Sequence, residues 1–260
     1  MKHQNKLGEM MINWKHAVMC ANTSNAVYAD EPLCKEMVEQ YCKTKKSFMF
    51  FKHNNAEACA YVHDTKHIVI CFRGTQPAQL SDIVADLKSW QVDSETEGEV
   101  HAGFKGELDK LWSHIQGYAE MKQSAGKHIL VTGHSLGAAM ATIAASRLKA
   151  LGNEVTLYTY GSPRVGDHTW SKQFDNIPAY RFVNNNDIVC KVPPYGFFTH
   201  IGELKYINYY GNIRNVTWWQ RLKDQMRGRW RALMKFQLFD GAFDHSMTLY
   251  ADKVKRHLPD

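Results

Sequence analysis

The chain has 260 residues, 44% of them hydrophobic and 22% charged, which is enough to bury one sizeable core, and we expect a single domain over residues 1–260. Six cysteines without C-x-x-C spacing argue against a zinc site or a disulfide framework and favour buried free thiols. No window approaches the ~18 apolar residues of a membrane span and no signal peptide is evident, so the sequence predicts a cytoplasmic protein, with export without a cleaved signal left open.

The predicted elements change in character at Gly74. Before it, helices are predicted over residues 9–28 and 31–41, and strands over residues 48–52, 58–63 and 67–73. These strands are too closely spaced for crossover helices, so they should pair as an antiparallel meander. After it, helices over residues 81–90, 102–121 and 138–151 alternate with apolar strands over residues 129–132, 155–160 and 180–183. This alternation predicts parallel βαβ units and an α/β fold class.

The most informative motif is the pentapeptide GHSLG at residues 133–137. An apolar, β-prone segment precedes it, and a segment rich in helix formers follows it. A G-x-S-x-G motif in that context holds its serine in a strained strand-to-helix turn that the flanking glycines permit. Ser135 is therefore a candidate nucleophile. An ordinary βα turn is the alternative, so the base and its orienting acid must be sought elsewhere in the chain.

Asp187 is the candidate for the orienting acid. In α/β hydrolases the acid and the histidine follow the serine in that order, on loops after later strands. The strand at residues 180–183 breaks into a polar turn, Asn-Asn-Asn-Asp, that presents this carboxylate. A turn aspartate that caps the backbone is the alternative, and Asp167 and Asp175 compete for the role.

His245 is the candidate general base. It lies just before the last predicted helix, downstream of Asp187, and this order and placement favour it over His200 and His257.

The oxyanion hole needs two main-chain N–H groups. One is predicted at Leu136, after the nucleophile, and the other at Thr75, after an early strand, although a plain Gly-Thr turn would explain Thr75 equally well.

Several separated motifs together resemble the class 3 lipases, the triacylglycerol-lipase family of α/β hydrolases. They are FRGT at 72–75, Asp86-Leu87, HAGF at 101–104, VTGHSLGAAMA at 131–141, YGSPRVGD at 160–167, FVNNNDIVCKVPP at 182–194, HIGE at 200–203 and DHSMTLY at 244–250. The resemblance implies an α/β-hydrolase fold with helices on both faces of a mostly parallel sheet. It also implies a triad of Ser135, Asp187 and His245, with Thr75 and Leu136 forming the oxyanion hole.

The same resemblance implies a serine ester hydrolase, a lipase or carboxylesterase. It would cleave acylglycerol or phospholipid esters through an acyl-enzyme on Ser135, with no metal or organic cofactor. A catalytically silent, lipase-like binding or signalling module is the alternative. A complete set of serine, aspartate and histidine argues against that alternative, because a binding module does not need all three. The sequence does not indicate an oligomeric state.

A basic, Trp-rich insertion over residues 211–240 departs from the family pattern. Residues 211–235 contain seven basic residues and one acid, which equals the net charge of +6 of the whole chain. The interfacial or lid candidates recur near helical spacing: Trp218, Trp219, Leu222, Met226 and Trp230. They predict either a helix that makes peripheral contact with an anionic membrane surface or a lid packed on the protein. The tryptophans and methionines argue against nucleic acid as the partner.

Overall fold

The structure of the protein, a computed structural model, describes residues 11–41, 47–75, 90–123, 126–213 and 243–258. The described helices are α1 Trp14–Ala26, α2 Glu31–Tyr41, α3 Ala102–Gln123, α4 Leu136–Ala150, α5 His168–Ser171 and α6 Met247–Lys255, with 3₁₀ turns at Lys172–Asn176 and Val189–Lys191. The described strands are β1 Met49–His53, β2 Ala56–Val62, β3 His67–Phe72, β4 Gln91–Asp93, β5 Glu99–His101, β6 His128–His134, β7 Val155–Tyr160, β8 Ala179–Asn184 and β9 Glu203–Ile207.

Seven of these strands form one sheet in the order β1-β2-β3-β6-β7-β8-β9. The first three pair antiparallel, as the short connections between them predict. From β3 onward every pairing in this sheet is parallel. Strands β4 and β5 form a separate antiparallel hairpin. The predicted fold class is confirmed: a mostly parallel central sheet with antiparallel early strands and helices on both faces.

Alternate residues of the central strands pack on opposite faces of the sheet. In β3, Ile68 and Ile70 join the core beneath α3 and α4, whereas Val69 and Cys71 join the core beneath α1, α2 and α6. Strand β6 divides in the same way. Both faces of these strands are therefore buried, which explains why they appear in the sequence as continuous apolar runs. The five described cysteines are buried free thiols.

The first helix begins later than the sequence predicts. Its first residue is Trp14, because Asn13 has an extended backbone and its side chain accepts a hydrogen bond of 3.2 Å from the main-chain N–H of His16. This is an N-cap, and it ends the predicted extension toward residue 9. The predicted helix at residues 81–90 lies outside the described residues except for Trp90, which is not helical. No helix in the described ranges is long and apolar enough to span a membrane.

Candidate active site

The residues predicted to carry chemistry follow the carboxyl ends of adjacent parallel strands. Ser135 directly follows β6, and Gly161 directly follows β7. Asp187 comes three residues after β8, and Thr75 comes three residues after β3. Because parallel strands all end at the same edge of a sheet, these separated segments meet there, which is where open α/β sheets place their ligands.

The backbone of Ser135 is held in a strained turn. Its φ is 59° and its ψ is −128°, in the region that disfavours residues with a Cβ. Both flanking positions require glycine because a side chain would clash with the main chain. A Cβ at Gly133 would lie 2.3 Å from the Gly137 oxygen, and one at Gly137 would lie 2.2 Å from the Phe72 oxygen. The main chain of the turn is therefore pressed against both the start of α4 and the end of β3.

Asp187 and His245 form a buried hydrogen-bonded pair. Nδ1 of His245 lies 2.9 Å from both carboxylate oxygens of Asp187. Asp187 is fully buried and His245 is 4% exposed. Gly161 makes room for the pair, because a Cβ there would lie 2.9 Å from atoms of both side chains. Among the residues that the structure describes, Nε2 of His245 is buried and has no hydrogen-bond partner.

Asp187 keeps its charge despite its burial. Desolvation alone would raise its pKa, but the charge and hydrogen bond of His245 and a 2.6 Å hydrogen bond donated by the Tyr250 hydroxyl outweigh it and hold the pKa of Asp187 below its usual range. An ionised carboxylate only accepts hydrogen bonds, so Nδ1 of His245 must carry the proton. In the neutral form of this ring, the lone pair of Nε2 can act as a base.

The loops that carry the pair are bound to each other by Asp244. One of its carboxylate oxygens accepts hydrogen bonds of 3.0 Å from the Asn185 side chain and from the main-chain N–H of Asn186. The Asn184 side chain donates a hydrogen bond of 2.8 Å to the main-chain oxygen of Asp244. Asp244 and Tyr250 are not among the residues that the sequence predicts for the site, although both belong to the DHSMTLY motif. That motif is the signal that could have found them.

The predicted oxyanion-hole residues lie on segments that touch each other. Leu136 is the first residue of α4, and the turn at Gly74 precedes Thr75. A Cβ at Gly137 would lie 2.9 Å from the Gly74 nitrogen, and one at Gly74 would lie 3.2 Å from the Ser135 Cβ. The structure therefore brings the Thr75 loop and the Leu136 turn to the same serine. Their role at an oxyanion stays a prediction.

The competing candidates lie in other contacts. Asp167 is the N-cap of α5, where its side chain accepts from the Trp170 N–H at 2.7 Å, and Asp175 is exposed in a 3₁₀ turn. Nε2 of His200 lies 2.9 Å from the Cys190 oxygen, and Nε2 of His257 accepts from the Ile213 N–H at 3.2 Å. Of the three candidate acids, Asp187, Asp167 and Asp175, only Asp187 is hydrogen-bonded to His245.

Two further expectations concern other parts of the chain. The interfacial candidates lie outside the described residues: Trp218, Trp219, Leu222, Met226 and Trp230. Within the described ranges, no group of three or more histidine, cysteine, aspartate or glutamate side chains is arranged to hold a metal ion.

A serine in a strained strand-to-helix turn, beside a buried Asp–His pair at the carboxyl edge of a mostly parallel sheet, defines the α/β-hydrolase class. Residues 69–197 match the family described as Lipase (class 3), which confirms the resemblance seen in the motifs.

Similar proteins agree with this assignment. The chain is 36% identical over 152 residues to a lipase of Rhizomucor miehei, covering 53% of this chain and 41% of that protein. It is 30% identical over 139 residues to a lipase of Caenorhabditis elegans, covering 49% of this chain and 38% of that protein. The chain thus spans about two fifths of the length of these curated relatives.

A similar solved structure covers more of the chain. The mono- and diacylglycerol lipase of Aspergillus oryzae is 26% identical, with a TM-score of 0.63, over 80% of this chain and 82% of that one. The likeness therefore extends beyond the family match to most of the chain.

Proposed function

We propose that the protein is a serine ester hydrolase that cleaves lipid esters through an acyl-enzyme on Ser135. The observation that carries the proposal is the position of Nε2 of His245, which is buried and unpartnered among the described residues, in a ring oriented by a charged Asp187. Its ring centroid lies 4.4 Å from that of His134, the residue before Ser135. The candidate base is thereby held against the residue that precedes the strained serine.

The chemistry follows from this arrangement. Nε2 of His245 takes the proton of Ser135 as the serine oxygen attacks the ester carbonyl carbon. The carbonyl oxygen becomes negatively charged and is stabilised by the main-chain N–H groups of Leu136 and Thr75. The carbon–oxygen bond of the ester then breaks, and His245 returns the proton to the departing alcohol. Water repeats the sequence and releases the acid, while Asp187 stabilises the imidazolium in both halves.

A substrate with an apolar acyl chain is supported by the residues beside the pair. Ile188 directly follows Asp187 and is 40% exposed, and Phe243 lies two residues before His245 and is 62% exposed. Apolar side chains at such positions suit the chain of an acylglycerol or phospholipid better than a polar substrate. The relatives that match the chain include proteins named lipase and mono- and diacylglycerol lipase.

Replacing Ser135 with alanine tests the proposal. Ser135→Ala should lower kcat on a soluble chromogenic ester by about 10⁴-fold or more, because the covalent intermediate is lost. Ser146→Ala is the matched control. Ser146 is also buried, on α4, and donates to Gln173 at 2.6 Å, so its loss should leave turnover unchanged.

A fluorophosphonate probe supplies the second readout, because it reacts only with an activated serine. Labelling of the wild type and of Ser146→Ala, but not of Ser135→Ala, is the expected pattern. A folded wild type that neither turns over esters nor takes up the probe would contradict the proposal and favour the silent binding module. A panel of triacylglycerols, phospholipids and short esters then identifies the substrate class.

A further inference from the structure

A chain of hydrogen bonds joins the segment after α1 to the loop that carries His245. The Tyr28 hydroxyl, two residues past α1, lies 2.8 Å from Nδ1 of His134. Nε2 of His134 lies 2.7 Å from the main-chain oxygen of His245. Tyr28 and His134 are 106 positions apart, and His134 and His245 are 111 apart. Two contacts therefore connect three distant parts of the chain at the catalytic edge of the sheet.

The donors and acceptors in this chain are fixed by chemistry. A carbonyl oxygen only accepts, so Nε2 of His134 carries the proton and donates to His245. Nδ1 is then an acceptor, and the Tyr28 O–H donates to it. Burial and the neighbouring His245 hold the pKa of His134 well below its usual range, so the ring stays neutral. One tautomer of one neutral ring satisfies both contacts.

The same tyrosine oxygen reaches the oxyanion-hole side of the site. The Gly74 main chain gives it a hydrogen bond, and burial raises the pKa of Tyr28, so the hydroxyl stays protonated. A Cβ at Gly74 would lie 2.3 Å from this oxygen. Tyr28 is thus in contact with the turn before Thr75 and, through His134, with the loop of His245.

We propose that Tyr28 and His134 are positioning residues. They hold the main chain of His245 and the turn at Gly74 in fixed positions relative to Ser135. Neither side chain needs to touch the substrate. The Asp187 contact fixes Nδ1 of the His245 ring, whereas the His134 contact fixes the main chain from which that ring projects. The inference rests on the proposed function, since it concerns the geometry of that same site.

Tyr28→Phe tests the proposal by removing one oxygen while keeping the ring. We expect kcat on a soluble ester to fall roughly 10- to 100-fold, with KM little changed, because small displacements of reacting groups cost that much. The rate of fluorophosphonate labelling at Ser135 should fall in parallel. His134→Gln keeps an amide N–H near the Nε2 position and should retain more activity than His134→Ala.

Tyr61→Phe is the matched control. Tyr61 is buried, and its hydroxyl makes a 2.7 Å hydrogen bond to Thr23 of α1, far in sequence from the site. Both phenylalanine variants should show a similar fall in melting temperature. A fall in kcat for Tyr28→Phe that exceeds the fall for Tyr61→Phe supports positioning. An equal fall in the two variants overturns it, because the effect is then one of stability alone.

Imidazole nitrogen NMR gives a readout that does not depend on turnover. The wild type should show His134 as a single Nε2–H tautomer, and Tyr28→Phe should show a mixture of tautomers. An Nδ1–H tautomer in the wild type would overturn the inference. An inactive wild type with the expected tautomer would contradict the proposed function instead.

Discussion

Gly137 shows how closely single residues are constrained at this site. It lies in the first turn of α4, and a Cβ there would meet main-chain atoms of the strand end and the turn after β3, at 2.2 Å from the Phe72 oxygen and 2.9 Å from the Gly74 nitrogen. Main-chain atoms cannot move aside as a flexible side chain can. The missing Cβ therefore sets the distance between the Ser135 turn and the Thr75 loop.

Gly137→Ala should consequently destabilise the protein and impair catalysis together. We expect a loss of about 2–3 kcal/mol in the free energy of unfolding, from overpacking, and a lower kcat on a soluble ester. Gly117→Ala is the control on a neighbouring helix, α3. Gly117 is exposed and a Cβ there would meet nothing within 4 Å, so alanine should add about 0.5–1 kcal/mol of stability.

Urea unfolding and steady-state kinetics of Gly137→Ala and Gly117→Ala check the expected changes in stability and in kcat. A Gly137→Ala protein that is as stable and as active as Gly117→Ala would show that the helix and the loop can separate without cost.

At the scale of elements, apolar patterning predicted the buried strands and failed for the polar ones. Strand β7 has the predicted bounds, Val155–Tyr160, because every residue of it is buried and apolar or β-prone. Strands β4 and β5 have only three residues each and lie in a stretch that appears as an acidic loop. The edge strand β9 is partly exposed and carries charged residues. Short or edge strands form through pairing, which leaves little periodicity in the sequence.

Within the site, too, some residues could be predicted from the sequence and others could not. Asp187 and His245 could be found because order and loop placement are local properties of the sequence. The partners Tyr28 and His134 could not be paired, because their contact spans 106 positions and depends on the packing of α1 against the sheet. A hydroxyl and an imidazole far apart in sequence carry no pattern that links them.

A second group of side chains lies where α1, the β2–β3 turn and the start of β6 meet. The His16 ring centroid lies 4.6 Å from that of His67 and 6.3 Å from that of His63, and the rings of His67 and His128 are 5.9 Å apart. Burial, with His67, His63 and His128, lowers the pKa of His16 to about 4, although Asp64 opposes this. Burial also lowers the pKa of His128.

Acidification should therefore destabilise the folded protein through this cluster. In the unfolded chain His16 takes up a proton near pH 6.5, whereas in the folded protein it does so only near pH 4. Between these values the unfolded state binds more protons, so the free energy of unfolding falls as the pH drops. Because His16 is partly exposed, we expect it to account for only about 2 kcal/mol of this loss in the free energy of unfolding.

Urea unfolding at pH 7 and at pH 4.5 measures this loss. The loss should be smaller in His16→Asn than in the wild type, and the exposed His53→Asn should behave like the wild type. Equal losses in all three proteins would show that His16 does not contribute.

Across the whole molecule, the histidine cluster and the proposed active site lie at opposite ends of the same strands. His128 begins β6 and Ser135 follows its last residue, so the strand separates them by about 20 Å. His67 likewise begins β3, whose other end leads to Gly74. Acid-induced loss of stability and loss of activity should therefore be separable by mutation.

The basic, Trp-rich insertion adds a prediction from sequence at this scale. It leaves the described structure at Ile213, whose N–H donates to His257, and returns at Phe243, two residues before His245. The insertion is thus joined in sequence to the proposed base, His245. Deleting residues 218–235 leaves about 11 linking residues, which can span ~35 Å, so the loop should still close.

The deletion should lower activity on anionic lipid vesicles more than on a soluble short-chain ester, because the insertion supplies cations and aromatic side chains for a membrane surface. Replacing Arg227, Arg229 and Arg231 with glutamine separates the two contributions. That variant keeps the tryptophans, so its loss should appear on anionic vesicles, diminish at high salt and be absent on zwitterionic vesicles. An equal loss on vesicles and on the soluble ester, in either variant, would mean that the insertion supports His245 and its loop rather than the approach of lipid.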